Sequence, residues 1–124
     1  MVATKPIEGQ ALALAVAGYA DDMQAEGIVV LDLIGISSIA DYFVVCTGTS
    51  TPHLKAIIRE VSQKLGEEHG LKARATDGNA ESQWLVLDFV DVILHLFHKD
   101  RREIYALEDL WSDAGRIPFE SAQP

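Results

Sequence analysis

Few side chains in this 124-residue chain have obvious chemistry to offer. Asp32, Asp41 and Asp88 are the carboxylates that could hold a pair of divalent ions. Gly48-Thr49-Ser50 precedes a helical stretch whose first amides would cradle a phosphate. Together they would serve metal-dependent nucleotidyl transfer. That chemistry usually draws two carboxylates from an Asp-x-Asp or Asp-x-Glu pair on one strand, and neither Asp32 nor Asp88 has such a neighbour. The Gly-Thr-Ser run is better explained as a strand exit feeding a helix cap, with Thr51 at N-cap and Pro52 at the first helical position. His53, His69, His95 and His98 form neither an HExxH motif nor a Cys/His cluster. His95 and His98 would point to opposite faces of one strand, and His69 sits where a helix C-terminus favours it. Cys46, the only cysteine, lies in an apolar run and reads as a buried, inert thiol of a reducing compartment. No metal and no cofactor is expected, and a binding module is favoured over an enzyme.

The elements that must position these residues follow from periodicity. Over residues 8–26, Leu12, Val16, Tyr19 and Met23 make one helical stripe, with Gly27 as the stop. Residues 11–20 imitate a signal-peptide core, but Lys5 is the only basic side chain before them and Glu8 intervenes. No run approaches the roughly 18 apolar residues of a membrane span, so a cytosolic, membrane-free protein is expected. Residues 28–33 (IVVLDL) and 41–47 (DYFVVCT) read as strands, the second apolar enough to be central. A helix then runs to about His69, with Leu54, Ile58, Val61 and Leu65 on one face and Gly70 ending it. Residues 72–76 read as a short edge strand and Asp77-Gly78-Asn79 as a turn. A last helix starts at Asp100, capped in a box with Glu103, and turns Ile104, Leu107 and Trp111 inward. Arg101 and Tyr105 share a neighbouring face of it. From about residue 112 the tail is expected to be mobile. The order is αββαβββα: one α+β domain over 1–124, core about 8–111, with a mixed five-stranded sheet and helices mainly on one face.

The chain is organised around residues 84–111, in which the last helix follows directly on a hairpin. With its turn at Phe89-Val90, Asp88 stands opposite Asp91 and Trp84 opposite His95. Alternation puts Leu85, Leu87, Val92, Leu94 and Leu96 on one face, which must be core. Trp84, Val86, Asp88, Asp91, Ile93, His95 and Phe97 take the other. Acids, an imidazole and an indole on one face suit an open interface better than a dry core. The plainer reading is that Trp84 and Phe97 lie under a loop or the tail. Lys and Arg are scattered and the net charge is −9, which argues against a phosphate-backbone binder and for basic partners.

Asp32, Asp41-Tyr42-Phe43 and Cys46-Thr47-Gly48-Thr49-Ser50, followed by residues 84–88 (WLVLD), 91–95 (DVILH) and 101–111, carry a resemblance. Over about residues 11–111 the chain resembles the Iojap-like ribosomal silencing factors. The resemblance implies a nucleotidyltransferase-like fold without enzymatic activity. It also implies binding to the large ribosomal subunit through ribosomal protein L-fourteen, blocking the small subunit and repressing translation. A role in large-subunit assembly, or nucleotidyl transfer itself, is the alternative. Partner-binding residues would be Trp84, Asp88, Asp91, Ile93, His95, Arg101 and Tyr105, with no sequence-specific nucleic acid and no membrane involved. The open face would also allow a homodimer when free. The family's turn usually reads Asp-x-Gly-Asp, whereas this chain has Val90, which disfavours positive φ and is expected to reshape the turn and shift the Asp88–Asp91 pairing.

Overall fold

A computed structural model describes residues 5–79, 83–100 and 113–123 of the chain. The elements are α1 (Gly9–Asp22), β1 (Glu26–Asp32), β2 (Tyr42–Gly48), α2 (Thr51–His69), β3 (Ala75–Asn79), β4 (Trp84–Asp88), β5 (Val92–His98) and β6 (Gly115–Ile117). The last expected helix, with Arg101, Tyr105 and Trp111, lies outside the described residues.

Every residue of β2 is buried, as its unbroken apolar run requires. It pairs in parallel with β5 and antiparallel with β1, in a mixed sheet ordered β3-β4-β5-β2-β1-β6. Both α1 and α2 cover one face. Leu12 and Val16 of α1 and Leu54, Val61 and Leu65 of α2 bury against Val44, Cys46, Leu85, Leu87, Val92, Leu94 and Leu96. At roughly 1.5–3 kcal/mol per buried aliphatic side chain, this layer supplies most of the drive to fold. On α2 the inward position is Ile57, with the expected Ile58 only partly buried.

Helix ends differ from expectation for identifiable reasons. α1 stops at Asp22 because Gln24 takes a left-handed φ of 61°. The amides of Gln24 and Ala25 then return to Asp21 and Ala20, satisfying the last carbonyls without a glycine. Gly27 instead lies within β1, where the pairing with β2 slips between Glu26 and Val29. Ser50, not Thr51, is the N-cap of α2: its hydroxyl accepts the His53 N–H at 3.1 Å. Gly70 ends that helix in the left-handed conformation, as expected.

β3 is displaced from residues 72–76 to Ala75–Asn79, so the anticipated Asp-Gly-Asn turn is strand. Turn-forming residues are tolerated because Gly78 has φ +74° and a Cβ there would stand 2.0 Å from the Trp84 carbonyl. The hairpin register is shifted by two. Asp88 pairs with Ile93, Val86 with His95 and Trp84 with Phe97, while Asp91 falls in the turn. Val90 adopts φ 76°, and its amide is held by the Asp88 carboxylate at 2.7 Å. A shift of two preserves which face each residue takes.

Residues beyond 112 were expected to be a mobile tail in a five-stranded fold, but the structure puts a sixth strand there. β6 pairs Gly115 to Ile117 with Asp32 to Val30 on the edge of β1. Ile117 and Phe119 pack against the helix-side core. Further on, the buried Asp21 carboxylate accepts the Ser121 hydroxyl and, at 2.8 Å, the Ala122 N–H. A buried carboxylate needs such donors, and the tail supplies them.

Two measurements check this account. Val90→Gly relieves a β-branched residue at positive φ and should raise stability by roughly 0.5–1 kcal/mol in urea unfolding, net of glycine's entropy cost. Ser121→Ala should lower it by about 2 kcal/mol, because a hydrogen bond to a buried charge is lost; a change within noise would mean the tail does not clasp Asp21.

Candidate docking surface

The sheet face away from the helices gathers Trp84, Val86 and Asp88 from β4 with Ile93, His95 and Phe97 from β5, as alternation predicts. It is not, however, an open pad. Ile93, His95 and Phe97 are only 6%, 8% and 0% exposed. Ile93 and Phe97 form a second apolar cluster with Leu31, Leu33, Phe43 and Val45, His95 packs against its Phe43, and Trp84 and Val86 sit at its margin. The reason lies in β2: a strand apolar on both sides must bury both. What remains accessible is narrower, with Trp84, Val86, Asp88 and Asp91 half-buried.

Aromatic contacts tie this cluster together. Trp84 stacks on Phe97 at 5.3 Å between ring centroids, and Phe43 meets His95 edge-on at 4.5 Å. The Trp84 indole N–H reaches His95 Nδ1 at 3.4 Å, so the imidazole carries its proton on Nε2. Among the described residues that Nε2–H is buried without a hydrogen-bond partner, a condition that costs about 1–3 kcal/mol. Beside it a cavity of about 420 Å³ is lined by buried Phe43, Ile93 and His95, half-buried Trp84 and Val86, and exposed Ile39 and Asp77.

The acids behave unequally. Asp88 is bridged by Arg74 at 2.7 Å and also accepts the Val90 amide. Burial alone would raise its pKa, but the Arg74 hydrogen bond, the Val90 amide and the Arg74 charge together hold it below the usual carboxylate range. Asp91 uses its backbone carbonyl to accept the Asp41 and Tyr42 amides at 2.9 and 3.0 Å. Arg101 and Tyr105 lie outside the described residues. Sequence reasoning missed Ile34, Ile36 and Ile39, which stand exposed in the β1–β2 connection together with Val90 in the hairpin turn. Three isoleucines in a Gly/Ser-containing loop were the available signal.

The residues weighed for nucleotidyl transfer have other work. Asp32 accepts the Ile34 amide, and Asp88 belongs to Arg74. The Thr49 amide, needed for a phosphate cradle, donates to His53 Nδ1 at 2.9 Å, and His53 Nε2–H is spent on the Met23 carbonyl at 2.7 Å. Among the described residues no three His, Cys, Asp or Glu side chains come together as a metal site. None of the described helices is long and apolar enough to cross a membrane.

Burial pushes the His95 pKa down to about 4. Its unfolded value is near 6.5, so the unfolded chain binds the extra proton first as pH falls. Stability should be whole above pH 6.5 and drop by about 3 kcal/mol on the way to pH 4. Asp88, with its depressed pKa, adds a further loss only below the ordinary carboxylate range. Urea unfolding at pH 7 and pH 4.5 should show the first loss in the wild type and its near-absence in His95→Leu.

Comparison with known proteins agrees with this architecture. The family described as "Ribosomal silencing factor during starvation" matches residues 6–124. A ribosomal silencing factor of Bacillus subtilis is 44% identical over 98 residues, 79% of this chain and 82% of that protein. The mouse protein named "Mitochondrial assembly of ribosomal large subunit protein 1" is 38% identical over 77 residues, 58% of this chain but 32% of its own length. A crystal structure from Bacillus halodurans superposes with a TM-score of 0.76 at 34% identity, covering 90% of this chain and all (100%) of that one. The α+β sheet, the Trp84–His98 hairpin and these matches agree: the chain belongs to the ribosomal silencing factor family, to which Iojap is related.

Proposed function

We propose that the protein represses translation in the cytoplasm by binding the large ribosomal subunit through ribosomal protein L-fourteen, so that the small subunit cannot join. The observation that carries this reading is half-buried Trp84 at the margin of a cavity, on the sheet face that α1 and α2 leave alone. An aromatic anchor beside a pocket is the usual centre of a protein interface. The mechanism is steric. No bond is made or broken, and one interface holds the domain across the joining surface. The −9 net charge suits a basic ribosomal partner by speeding encounter.

A role in large-subunit assembly is a second reading, supported by the name of the mouse relative, "Mitochondrial assembly of ribosomal large subunit protein 1". The two differ in timing, since a repressor acts on finished subunits and an assembly factor on precursors.

Sedimentation with separated ribosomal subunits tests the proposal: the protein should travel with the large subunit and suppress formation of joined ribosomes. Trp84→Ala should weaken that binding by about 2 kcal/mol. Asp91→Lys should slow association at low ionic strength, an effect that fades as salt screens the charge. Co-migration with the small subunit alone, or full joining in the presence of saturating protein, would refute the reading.

A further inference from the structure

β3 stands at one end of the sheet, with β4 on one side and no described strand on the other. Ala75, Thr76, Asp77 and Gly78 are all exposed. Such an edge presents main-chain N–H and C=O groups to whatever strand comes beside it. The opposite end of the sheet is not left this way, because β6 is laid along β1 there.

Beside this edge, on the helix side of the sheet, lies a depression of about 490 Å³ between α2 and β3. Thr76 lines it next to its strand partner Leu87, whereas Asp77 lines the cavity on the far face. Its charged side chains are Arg59 of α2 and Lys72, both exposed and neither paired with a carboxylate among the described residues. Gln63 on the same wall donates to Glu67 at 2.9 Å, one turn along α2 and outside the depression. In a chain of net charge −9, two unpaired cations beside one open edge set a local preference opposite to the whole. They repel the same edge of a second copy and attract carboxylates. A nucleic acid suits the place less well. The depression offers no aromatic ring for a base to stack on, and the net charge repels phosphate.

We infer that β3 accepts an extended acidic segment of a protein partner as a further strand of the sheet. The main chain of that segment bonds to the outer edge of β3, and carboxylates on its alternate residues enter the depression to pair with Arg59 and Lys72. The site differs from the Trp84 surface in face and in charge preference, so the inference stands apart from the docking reading above.

A blocked peptide alternating glutamate and threonine, titrated into the protein while the backbone amide signals are followed, tests it. Saturable binding is expected, with the largest shifts at Thr76 and Asp77. Joint Arg59→Glu and Lys72→Glu substitution should weaken it at least about tenfold, because like charges then face each other. Both side chains are exposed, so the circular dichroism spectrum should not change. Two further peptides, N-methylated at the glutamates or at the threonines, separate the ladder from the charge. Only alternate amides of a strand face one neighbour, so one of the two should bind at least about tenfold more weakly than the other. Equal binding of both, no saturable binding of the parent peptide, or equal binding of a lysine–threonine peptide would overturn the inference. Tighter binding of a uridine oligonucleotide, lost on the same double substitution, would make the depression a nucleic-acid surface and the inference wrong.

Discussion

The parallel pairing of β2 with β5 is the constraint from which the rest of the molecule follows. Tyr42 to Gly48 run beside Val92 to His98 at the centre of the sheet, and β2 is buried along its whole length. A parallel pair cannot be joined by a tight turn, so the chain must leave β2, cross over and return. α2 makes the crossing on one face, and β3 and β4 precede the return. Because β2 is apolar on both sides, each sheet face needs a cluster of its own.

That second cluster explains why little of the sheet face away from the helices stays accessible. An open antiparallel hairpin would have left Ile93, His95 and Phe97 in solvent. Lying beside β2, Ile93 and Phe97 are drawn into packing with Phe43 and Val45 and His95 against Phe43, while Trp84 and Val86 of β4 stay at the margin. The burial that makes the sheet stable thus leaves Trp84 and Val86, beside the cavity, as the half-buried part of this face. It also removes water from His95, which is why the imidazole is held neutral.

The period-two alternation of the hairpin was legible in the sequence, and so was the assignment of Leu85, Leu87, Val92, Leu94 and Leu96 to the helix side. The register was not, because Phe89-Val90-Asp91 contains no residue that dictates a turn type. Val90 accepts a left-handed backbone only because the Asp88 carboxylate holds its amide, a local contact that propensities do not encode. β6 was hidden for a similar reason: three residues are too short for periodicity, and they gain order from the edge of β1. Asp77-Gly78-Asn79 looked like a turn because glycine serves turns and close backbone approach equally, and only the Trp84 carbonyl distinguishes them. Of the candidate surface, Trp84, Asp88 and Asp91 were identifiable by type. The isoleucines of the β1–β2 connection were not, since a loop carries no period to betray its exposed greasy side chains.

The distance along the chain between the two central strands has a kinetic meaning. Tyr42 finds Val92 only after the intervening helix and strands have been drawn into a closed loop, whose entropy must be lost before the middle of the sheet rewards it. Chains dominated by such far-flung neighbours mature slowly. Until the middle ladder zips, the nascent hairpin shows grease on both sides and invites clumping, so this protein's yield on refolding should depend more on dilution than on how stable the finished fold is.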